Sequence, residues 1–207
     1  MSRSARVIVW RHGLTAHNAS GVYQGHLDTD LTEQGRRQAA AAAAVIAGRR
    51  PSRIVSSDLR RAAETARELS RICGLEVAYD CRLREVDVGS WSGLRREQVR
   101  ERYPHEVAAL AEGTDVRRGE HGEDGATVAI RTRAAVEEAL RGLRHGGLLV
   151  VATHGTAARA LVGSLLQWPW PTAWAQVEAL GNAHWAEVAD SDQGWRLHAW
   201  NACAPQL

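Results

Sequence analysis

Short apolar runs alternate with longer amphipathic stretches along the whole chain. The β-branched run at residues 7–10 breaks abruptly into a polar turn, and residues 148–152 form the most apolar run of the sequence before a similar turn. Continuous apolar runs of this length are typical of strands that are buried on both faces of a parallel sheet. We therefore expect the run at 148–152 in the centre of a sheet, with the run at 7–10 as a further buried strand.

Helical segments separate the predicted strands. Thr32 is the expected N-cap of an alanine-rich helix that runs to Ala47, and Ser57 or Asp58 is expected to cap a second helix that ends before Gly74. Further helices are predicted over residues 126–143 and from Gly155 through Leu166, and further strands at 53–57, 75–79, 184–189 and 195–201.

Composition places the chain among globular proteins of one domain. It has 207 residues, of which 44% are hydrophobic and 24% are charged, and no stretch has the composition of an interdomain linker. No apolar run approaches the ~18 residues of a membrane span, and the first six residues lack the apolar centre of a signal peptide. Three cysteines without metal-ligand spacing favour free thiols and a cytoplasmic location.

The charge of the chain excludes several classes of function. A formal net charge of +2 is too balanced to indicate binding to nucleic acid or to a membrane surface. All 26 basic residues are arginine, because the sequence contains no lysine. A P-loop lysine, a Schiff-base lysine and a lysine general base are therefore excluded.

Two predicted strands end in a histidine followed by glycine. Arg11-His12-Gly13 follows the first strand, and His154-Gly155 follows the strand at 148–152. The carboxyl ends of strands in open α/β sheets are where ligands bind, and an arginine beside a histidine suits an anion such as phosphate. For four other histidines we expect surface or packing roles: His17, His26, His145 and His198.

Two further segments contain candidate functional groups. Arg60 and Arg61 fall in the first turn of a predicted helix, where a cation opposes the helix dipole unless an anion binds there. In the segment at 85–88, alternation places Glu85 and Asp87 on one side, so that either carboxylate is a candidate acid beside a substrate.

These motifs together resemble the histidine phosphatase superfamily, whose fold is phosphoglycerate-mutase-like. The matching segments are Arg-His-Gly at 11–13, Gln-Gly at 24–25, Leu-Thr at 31–32, Ser-Asp-Leu-x-Arg-Ala at 57–62, Leu-x-Glu with Gly-x-Trp-x-Gly at 83–93, and His-Gly at 154–155. The resemblance covers the whole chain. It implies a single α/β domain over residues 1–207, with three layers (α/β/α) and a mostly parallel sheet with one antiparallel strand.

The resemblance also implies roles for individual residues. His12 would be the nucleophile and form a phosphohistidine, while Arg11, Arg61 and His154 would hold the phosphoryl oxygens. Glu85 would be the proton donor, with Asp87 as the alternative. Asn18, Gln24 and Gly155 would contact the substrate. No metal and no cofactor are expected, because arginines and histidines supply the positive charge.

The expected substrate is a small phosphorylated metabolite. Many mutases of the superfamily have an acidic residue directly after Arg-His-Gly, whereas this chain has Leu14 and is shorter, which favours a phosphatase. Segments 180–185 and 195–201 resemble those of actinobacterial glucosyl-3-phosphoglycerate phosphatases. Two alternatives stay open, a mutase-type phosphoryl transfer and a phospholigand-binding module without turnover.

Two regions have no clear chemistry in the sequence. The first region, residues 90–126, contains an amphipathic helix stopped by Pro104 and a glycine-rich loop with Arg117, Arg118 and His121. We expect this region to be either a lid or specificity insertion or a solvent-exposed loop without a function in the site. The tryptophan-rich segment 168–174 is expected to pack internally or to contact a second copy of the chain in a homodimer.

Overall fold

The computed structural model describes residues 5–205, so most of the segment inspected for a signal peptide lies outside the described residues. The strands are β1 (Arg6–Arg11), β2 (Arg53–Ser56), β3 (Val77–Tyr79), β4 (Leu148–Thr153), β5 (Trp185–Ser191) and β6 (Gly194–Ala202). The helices are α1 (Ala16–Ala19), α2 (Glu33–Ala47), α3 (Arg60–Cys73), α4 (Arg96–Arg102), α5 (Pro104–Ala111), α6 (Gly125–Leu140), α7 (Gly155–Leu165) and α8 (Trp170–Gln176).

The six strands form one sheet in the order β3-β2-β4-β1-β5-β6. Strands β1 to β4 pair in parallel, whereas β5 is antiparallel to both of its neighbours. The prediction of a mostly parallel sheet with one antiparallel strand is confirmed. The two most apolar runs of the sequence, β1 and β4, lie side by side in its centre, and every residue of β4 is buried.

Helices cover both faces of this sheet. Ile46 of α2 and Leu69 of α3 pack against one face, and Val136 of α6 and Leu161 of α7 pack against the other. The α/β/α layering predicted from the sequence is therefore confirmed. Among the described residues, no helix combines the length and the apolar character that crossing a membrane requires.

Local signals predicted one helix start correctly and another wrongly. The Thr32 hydroxyl accepts a hydrogen bond from the Gly35 amide (3.0 Å), as expected of an N-cap. Helix α3 instead begins after Leu59 without a side-chain cap, so neither Ser57 nor Asp58 is its N-cap. The Asp58 carboxylate binds the distant Arg84 guanidinium (2.7 Å), an ion pair that local sequence does not reveal.

Several other element boundaries differ from the prediction by a few residues. The loop after β1 contains the one-turn helix α1, and β3 is two residues shorter than predicted. Residues 85–88 form no strand, although burial alternates as expected because Val86 and Val88 face the interior. Pro104 ends α4 as predicted and, because proline suits the first turn of a helix, also opens α5.

The insertion at 90–126 packs tightly against the rest of the molecule. Trp91, Val99 and Trp170 share a hydrophobic cluster with α6 and α7. In the glycine-rich loop, a Cβ added to Gly119 would lie 2.3 Å from the Val88 carbonyl oxygen, so only glycine allows this close approach. The loop is thereby fixed over residues 87–89, next to Glu85.

Candidate active site

The carboxyl ends of β1 and β4 open into a cavity of about 300 Å³. Its wall comes from the end of β1, the loop at 21–25, the segment at 85–88 and the start of α7. The cavity lies where the two central parallel strands meet, which is the position that ligands take in open α/β sheets. Its size is at the lower end of the range for small-molecule sites.

His12 lies on this wall with only 2% of its surface exposed. Its Nδ1 lies 2.7 Å from the Gly13 carbonyl oxygen. Because a carbonyl oxygen can only accept, Nδ1 carries the proton and Nε2 keeps its lone pair. Burial, followed by the nearby guanidinium groups of Arg61 and Arg11, holds the pKa of His12 well below its ordinary value. The ring is therefore neutral and nucleophilic at neutral pH.

Two guanidinium groups beside His12 have no direct ion-pair partner in the described part of the chain, although the Glu85 carboxylate raises the pKa of both against the larger effect of burial. Within the described residues, neither Arg11 nor Arg61 has a carboxylate within ion-pair distance. Arg61 is 1% exposed and donates to the carbonyl oxygens of Leu27 (2.7 Å) and Gly25 (2.9 Å), and burial lowers its pKa to about 10. Arg11 donates to the Leu180 carbonyl. Their positive charges are thus held in place for an anion.

The neighbouring Arg60, unlike Arg61, lies outside the cavity and is paired with carboxylates. Its side chain is exposed and binds the carboxylates of Asp28 (3.1 Å) and Asp30 (3.0 Å). The cation in the first turn of α3 that is buried and lines the cavity is Arg61.

His154 lies close behind His12. The ring centroids are 5.1 Å apart, with the planes inclined by 63°, and the His154 side chain is fully buried. Its Nε2 is 2.9 Å from the Ser57 hydroxyl, whereas its Nδ1 has no hydrogen-bond partner among the described residues. Burial and the charge of Arg61 lower the pKa of His154 well below its ordinary value. The ring supports the wall from behind, since it is not among the residues that line the cavity.

The carboxylate of Glu85 is fixed at the N-terminus of α7. Its Oε2 accepts a hydrogen bond from the Thr156 amide (3.2 Å), and its Oε1 accepts from the amides of Val86 (2.9 Å) and Ala157 (3.0 Å). Helix N-termini favour negative charge at this position. Asp87 instead caps the Gly89 amide (2.9 Å) and does not line the cavity. Of the two carboxylates, only Glu85 faces the site.

The backbone beneath Glu85 is held by a second layer of polar groups. Arg131 donates to the carbonyl oxygens of Arg84 (2.7 Å) and Glu85 (2.8 Å) and pairs with Glu123 (2.7 Å). His26 Nε2 lies 2.9 Å from the Glu85 carbonyl oxygen, so this histidine packs beneath the site rather than on the outer surface. No pattern in the sequence pointed to Arg131, because its partners are up to 49 positions away.

Asn18, Gln24 and Gly155, for which the family resemblance implies contact with the substrate, all line the cavity. The side-chain Oδ1 of Asn18 accepts from the Thr15 amide (3.2 Å), and the side-chain Oε1 of Gln24 accepts from the Thr15 hydroxyl (3.1 Å). A Cβ added to Gly155 would lie 3.5 Å from the Arg11 guanidinium and 3.7 Å from the Glu85 carboxylate, so this position lies between the two charged groups.

Part of the wall was not predicted from the sequence. Arg159 of α7 and Trp174 of α8 line the cavity, together with Arg118 from the insertion. Arg159 could have been noticed as the one charged residue of helix α7. Trp174 packs against Arg159, with the guanidinium 4.3 Å from the ring centroid, so internal packing accounts for this part of the tryptophan-rich segment.

No group of three or more histidine, cysteine, aspartate or glutamate side chains that could hold a metal ion occurs in residues 5–205. The charged groups that face the cavity are arginines, with Glu85 as their acidic counterpart. Such an arrangement can bind a phosphoryl group through guanidinium groups, present it to an imidazole and deliver a proton from a carboxylic acid.

Comparison with known proteins agrees with this chemistry. The family model of the histidine phosphatase superfamily (branch 1) matches residues 7–203. The chain is 40% identical to a glucosyl-3-phosphoglycerate phosphatase of Mycolicibacterium vanbaalenii, with 98% of this chain and 96% of that protein covered. It is 32% identical to a probable phosphoglycerate mutase of Yersinia enterocolitica, with 94% and 89% covered.

A solved structure shows the same likeness in three dimensions. A mycobacterial glucosyl-3-phosphoglycerate phosphatase in complex with VO3 superimposes with a TM-score of 0.89 at 38% identity, with 95% of this chain and 99% of that chain covered. The fold class predicted from the sequence and the family resemblance are both confirmed. The chain belongs to the histidine phosphatase superfamily.

Proposed function

We propose that the chain is a metal-independent phosphomonoester hydrolase that works through a phosphohistidine on His12. The observation that carries this proposal is the state of His12, a buried neutral imidazole whose Nδ1–H is bound to the Gly13 carbonyl. The unprotonated Nε2 is left next to two guanidinium groups that lack carboxylate partners. This arrangement suits attack on a phosphorus atom whose oxygens the guanidinium groups hold.

In the first half of the reaction, Nε2 of His12 attacks phosphorus, the N–P bond forms and the P–O bond to the leaving group breaks. Glu85 gives a proton to the leaving oxygen, so that an alcohol departs. Arg11 and Arg61 bind the phosphoryl oxygens. His154, which was expected to hold them too, instead packs against the His12 ring from behind the wall. Asn18, Gln24 and Gly155 shape the wall around the substrate.

In the second half, Glu85 takes a proton from a water molecule that attacks the phosphohistidine. The N–P bond breaks and inorganic phosphate leaves, which returns His12 and Glu85 to their initial states. The three amides that hold Glu85 keep its two oxygens directed the same way in both halves. One carboxyl group can therefore serve first as acid and then as base.

For the substrate we propose glucosyl-3-phosphoglycerate. The support is the 40% identity to phosphatases of that name over nearly the full length, together with an insertion at 90–126 that places Arg118 on the cavity wall and so fits a specificity element. Mutase-type transfer is the second candidate, because a probable phosphoglycerate mutase is 32% identical. Leu14 after Arg-His-Gly argues for hydrolysis.

The wider setting is also a proposal. Cys73, Cys81 and Cys203 are free, which fits a reducing cytoplasm. A balanced net charge and a cavity of small-molecule size fit a metabolite as the partner rather than nucleic acid. A homodimer stays a prediction, which sedimentation of the purified protein would test.

The test is hydrolysis of p-nitrophenyl phosphate in EDTA, followed by glucosyl-3-phosphoglycerate and 3-phosphoglycerate as substrates. We expect phosphate release that EDTA does not reduce. Activity lost in EDTA and restored by a divalent cation would contradict metal independence. Conversion of 3-phosphoglycerate to its 2-isomer faster than phosphate release would favour the mutase, and phosphate binding without turnover would favour a binding module.

A further inference from the structure

Two buried guanidinium groups in the cavity wall have no role in the proposed mechanism. Arg118 is 4% exposed and Arg159 is 7% exposed. Neither has a carboxylate within 4.0 Å in the part of the chain that the structure describes, and Nε of Arg159 is buried there without a hydrogen-bond partner. Arg118 donates from its side chain to the Glu123 carbonyl oxygen at 3.1 Å. Buried cations are normally paired, because removing a charge from water is costly.

Aromatic rings hold both cations in place. The Arg159 guanidinium lies 4.3 Å from the ring centroid of Trp174, and the Arg118 guanidinium lies 5.6 Å from that of Trp170. The two tryptophan rings are themselves 5.6 Å apart. Such contacts stabilise a cation by a modest amount and leave its N–H groups available for an anion. The tryptophan-rich helix α8 thus acts as a support for the two guanidinium groups.

These cations lie on the side of the cavity where the leaving group departs. Arg159 lies two residues after Ala157, whose amide binds the Glu85 carboxylate that would protonate the leaving oxygen (3.0 Å), and the loop that carries Arg118 packs against residues 87–89. Arg11 and Arg61 are placed beside His12, where the phosphoryl group reacts. Besides the exposed Arg96, the wall therefore holds Arg118 and Arg159 in addition to the two cations beside His12 that the phosphoryl group needs.

We propose that Arg118 and Arg159 form a second anion subsite that binds a carboxylate on the leaving group. The substrate class is then a phosphate ester of a hydroxy acid, and a phosphate ester of a neutral alcohol is a poor substrate. The inference rests on the proposed function, since glucosyl-3-phosphoglycerate carries one carboxylate besides its phosphate. A planar carboxylate can accept two parallel N–H bonds from a guanidinium group.

The test compares two esters that differ in the carboxylate, 3-phosphoglycerate and glycerol 3-phosphate. We expect kcat/KM of the wild type to be at least tenfold higher for 3-phosphoglycerate. Arg159→Gln and Arg118→Gln should each lower kcat/KM for 3-phosphoglycerate by about 10- to 100-fold, the loss of one charge-assisted contact. Both variants should change kcat/KM for glycerol 3-phosphate by less than about threefold, because that ester has no carboxylate to place in the subsite.

Two further variants control this test. Arg100→Gln removes an exposed guanidinium from α4 and should leave both substrates unaffected. Arg159→Lys keeps a positive charge without the planar fork, and should restore part of the preference for the carboxylate. If Arg159→Gln does not fold, as judged by its thermal unfolding, then Arg118→Gln and Arg159→Lys decide the question.

Equal losses on both esters, or a wild type that hydrolyses both equally well, would overturn the subsite and leave the phosphatase intact. If neither ester is hydrolysed, the proposed function fails only if p-nitrophenyl phosphate and glucosyl-3-phosphoglycerate are not hydrolysed either. Calorimetry on His12→Gln then tests the subsite alone. There 3-phosphoglycerate should bind at least tenfold more tightly than glycerol 3-phosphate, and adding Arg159→Gln should remove the difference. Equal affinities would overturn the subsite.

Discussion

The carboxyl ends of β1 and β4 carry the same His-Gly dipeptide, and the two histidines meet different surroundings. His12 lies on the cavity wall with its Nδ1 proton directed to the Gly13 carbonyl, so its Nε2 is free to attack. His154 is fully buried behind it, with Nε2 on the Ser57 hydroxyl. The same dipeptide therefore supplies a nucleophile at one strand end and a supporting group at the other.

The two strand ends also lead into different backbone structures. After β1 the chain turns through Gly13 into a loop, whereas after β4 it enters α7 directly. The first amides of α7 hold Glu85, so the end of β4 positions the proton donor while the end of β1 supplies the nucleophile. The two strand ends thus differ in which of them places its histidine on the cavity wall and which of them continues directly into a helix.

The largest expected difference between the two strand ends is in kcat, when each histidine is replaced by glutamine. His12→Gln should lower kcat by about 10⁴-fold or more, because a nucleophile is lost. His154→Gln should lower it by about 10- to 100-fold, because the ring that packs against His12 and holds it in position is lost. Steady-state kinetics with p-nitrophenyl phosphate measures both. A similar loss of kcat in the two variants would mean that the two histidines do not have different roles.

The second prediction separates Glu85 at the end of β4 from its neighbour Asp87. Glu85→Gln should lower the hydrolysis of an alkyl phosphate by about 10²- to 10⁴-fold, because an alkoxide needs a proton to leave. Its effect on p-nitrophenyl phosphate should be much smaller, since the phenolate departs without help. Asp87→Asn is the control. If this variant shows the leaving-group dependence and Glu85→Gln does not, the roles are reversed.

The third prediction concerns Arg61, whose charge acts on both histidines. Arg61→Ala should weaken inhibition by phosphate or vanadate by about 1.5–3 kcal/mol, the value of a hydrogen bond to a charged group. Arg60→Ala should be nearly silent, since its guanidinium is exposed and pairs with Asp28. Unchanged inhibition in Arg61→Ala would place the anion elsewhere.

The smallest effect concerns protein stability and pH. The pKa of buried His154 is far below that of an unfolded histidine, about 6.5, so below pH 6.5 the unfolded state takes up a proton that the folded state does not. His154 therefore has almost no effect on the free energy of unfolding above pH 7, and it lowers that free energy as the pH falls below 6.5. Between pH 7.5 and 5.5 the loss is about 1.4 kcal/mol for one such histidine.

Denaturant unfolding of His154→Gln across this pH range tests that figure. The variant should lose about 1.4 kcal/mol less than the wild type between the two pH values. His145→Gln removes an exposed histidine and is the control, since its side chain is in water in both states. An unchanged pH dependence in His154→Gln would mean that His154 is not held neutral in the folded protein.

Features that depend on local pattern were predictable from the sequence. The apolar runs at β1 and β4 indicated their central position, and the turns after them located the cavity. The family motif distinguished Arg61 from Arg60, which local sequence alone could not do because both fall in the first turn of α3. Strand-like alternation placed Glu85 and Asp87 on one side and so could not choose between them.

Features that depend on tertiary contacts were not predictable. Glu85 is selected by the amides of Thr156 and Ala157, more than 70 positions away. The expected cap of α3 failed because Asp58 pairs with Arg84 instead. Arg159 belongs to the site because Trp174 supports it there, and nothing in their spacing indicates that contact.

The most direct test of the account is to trap the phosphoryl group on the enzyme. We predict that mixing the wild type with a phosphorus-labelled substrate and quenching rapidly in alkali, where phosphohistidine survives, gives label on the single peptide that contains His12. The label should be lost in acid and absent from His12→Gln. Label on the peptide that contains His154, or hydrolysis at full rate with no label on any histidine, would contradict the assignment of His12 as the nucleophile.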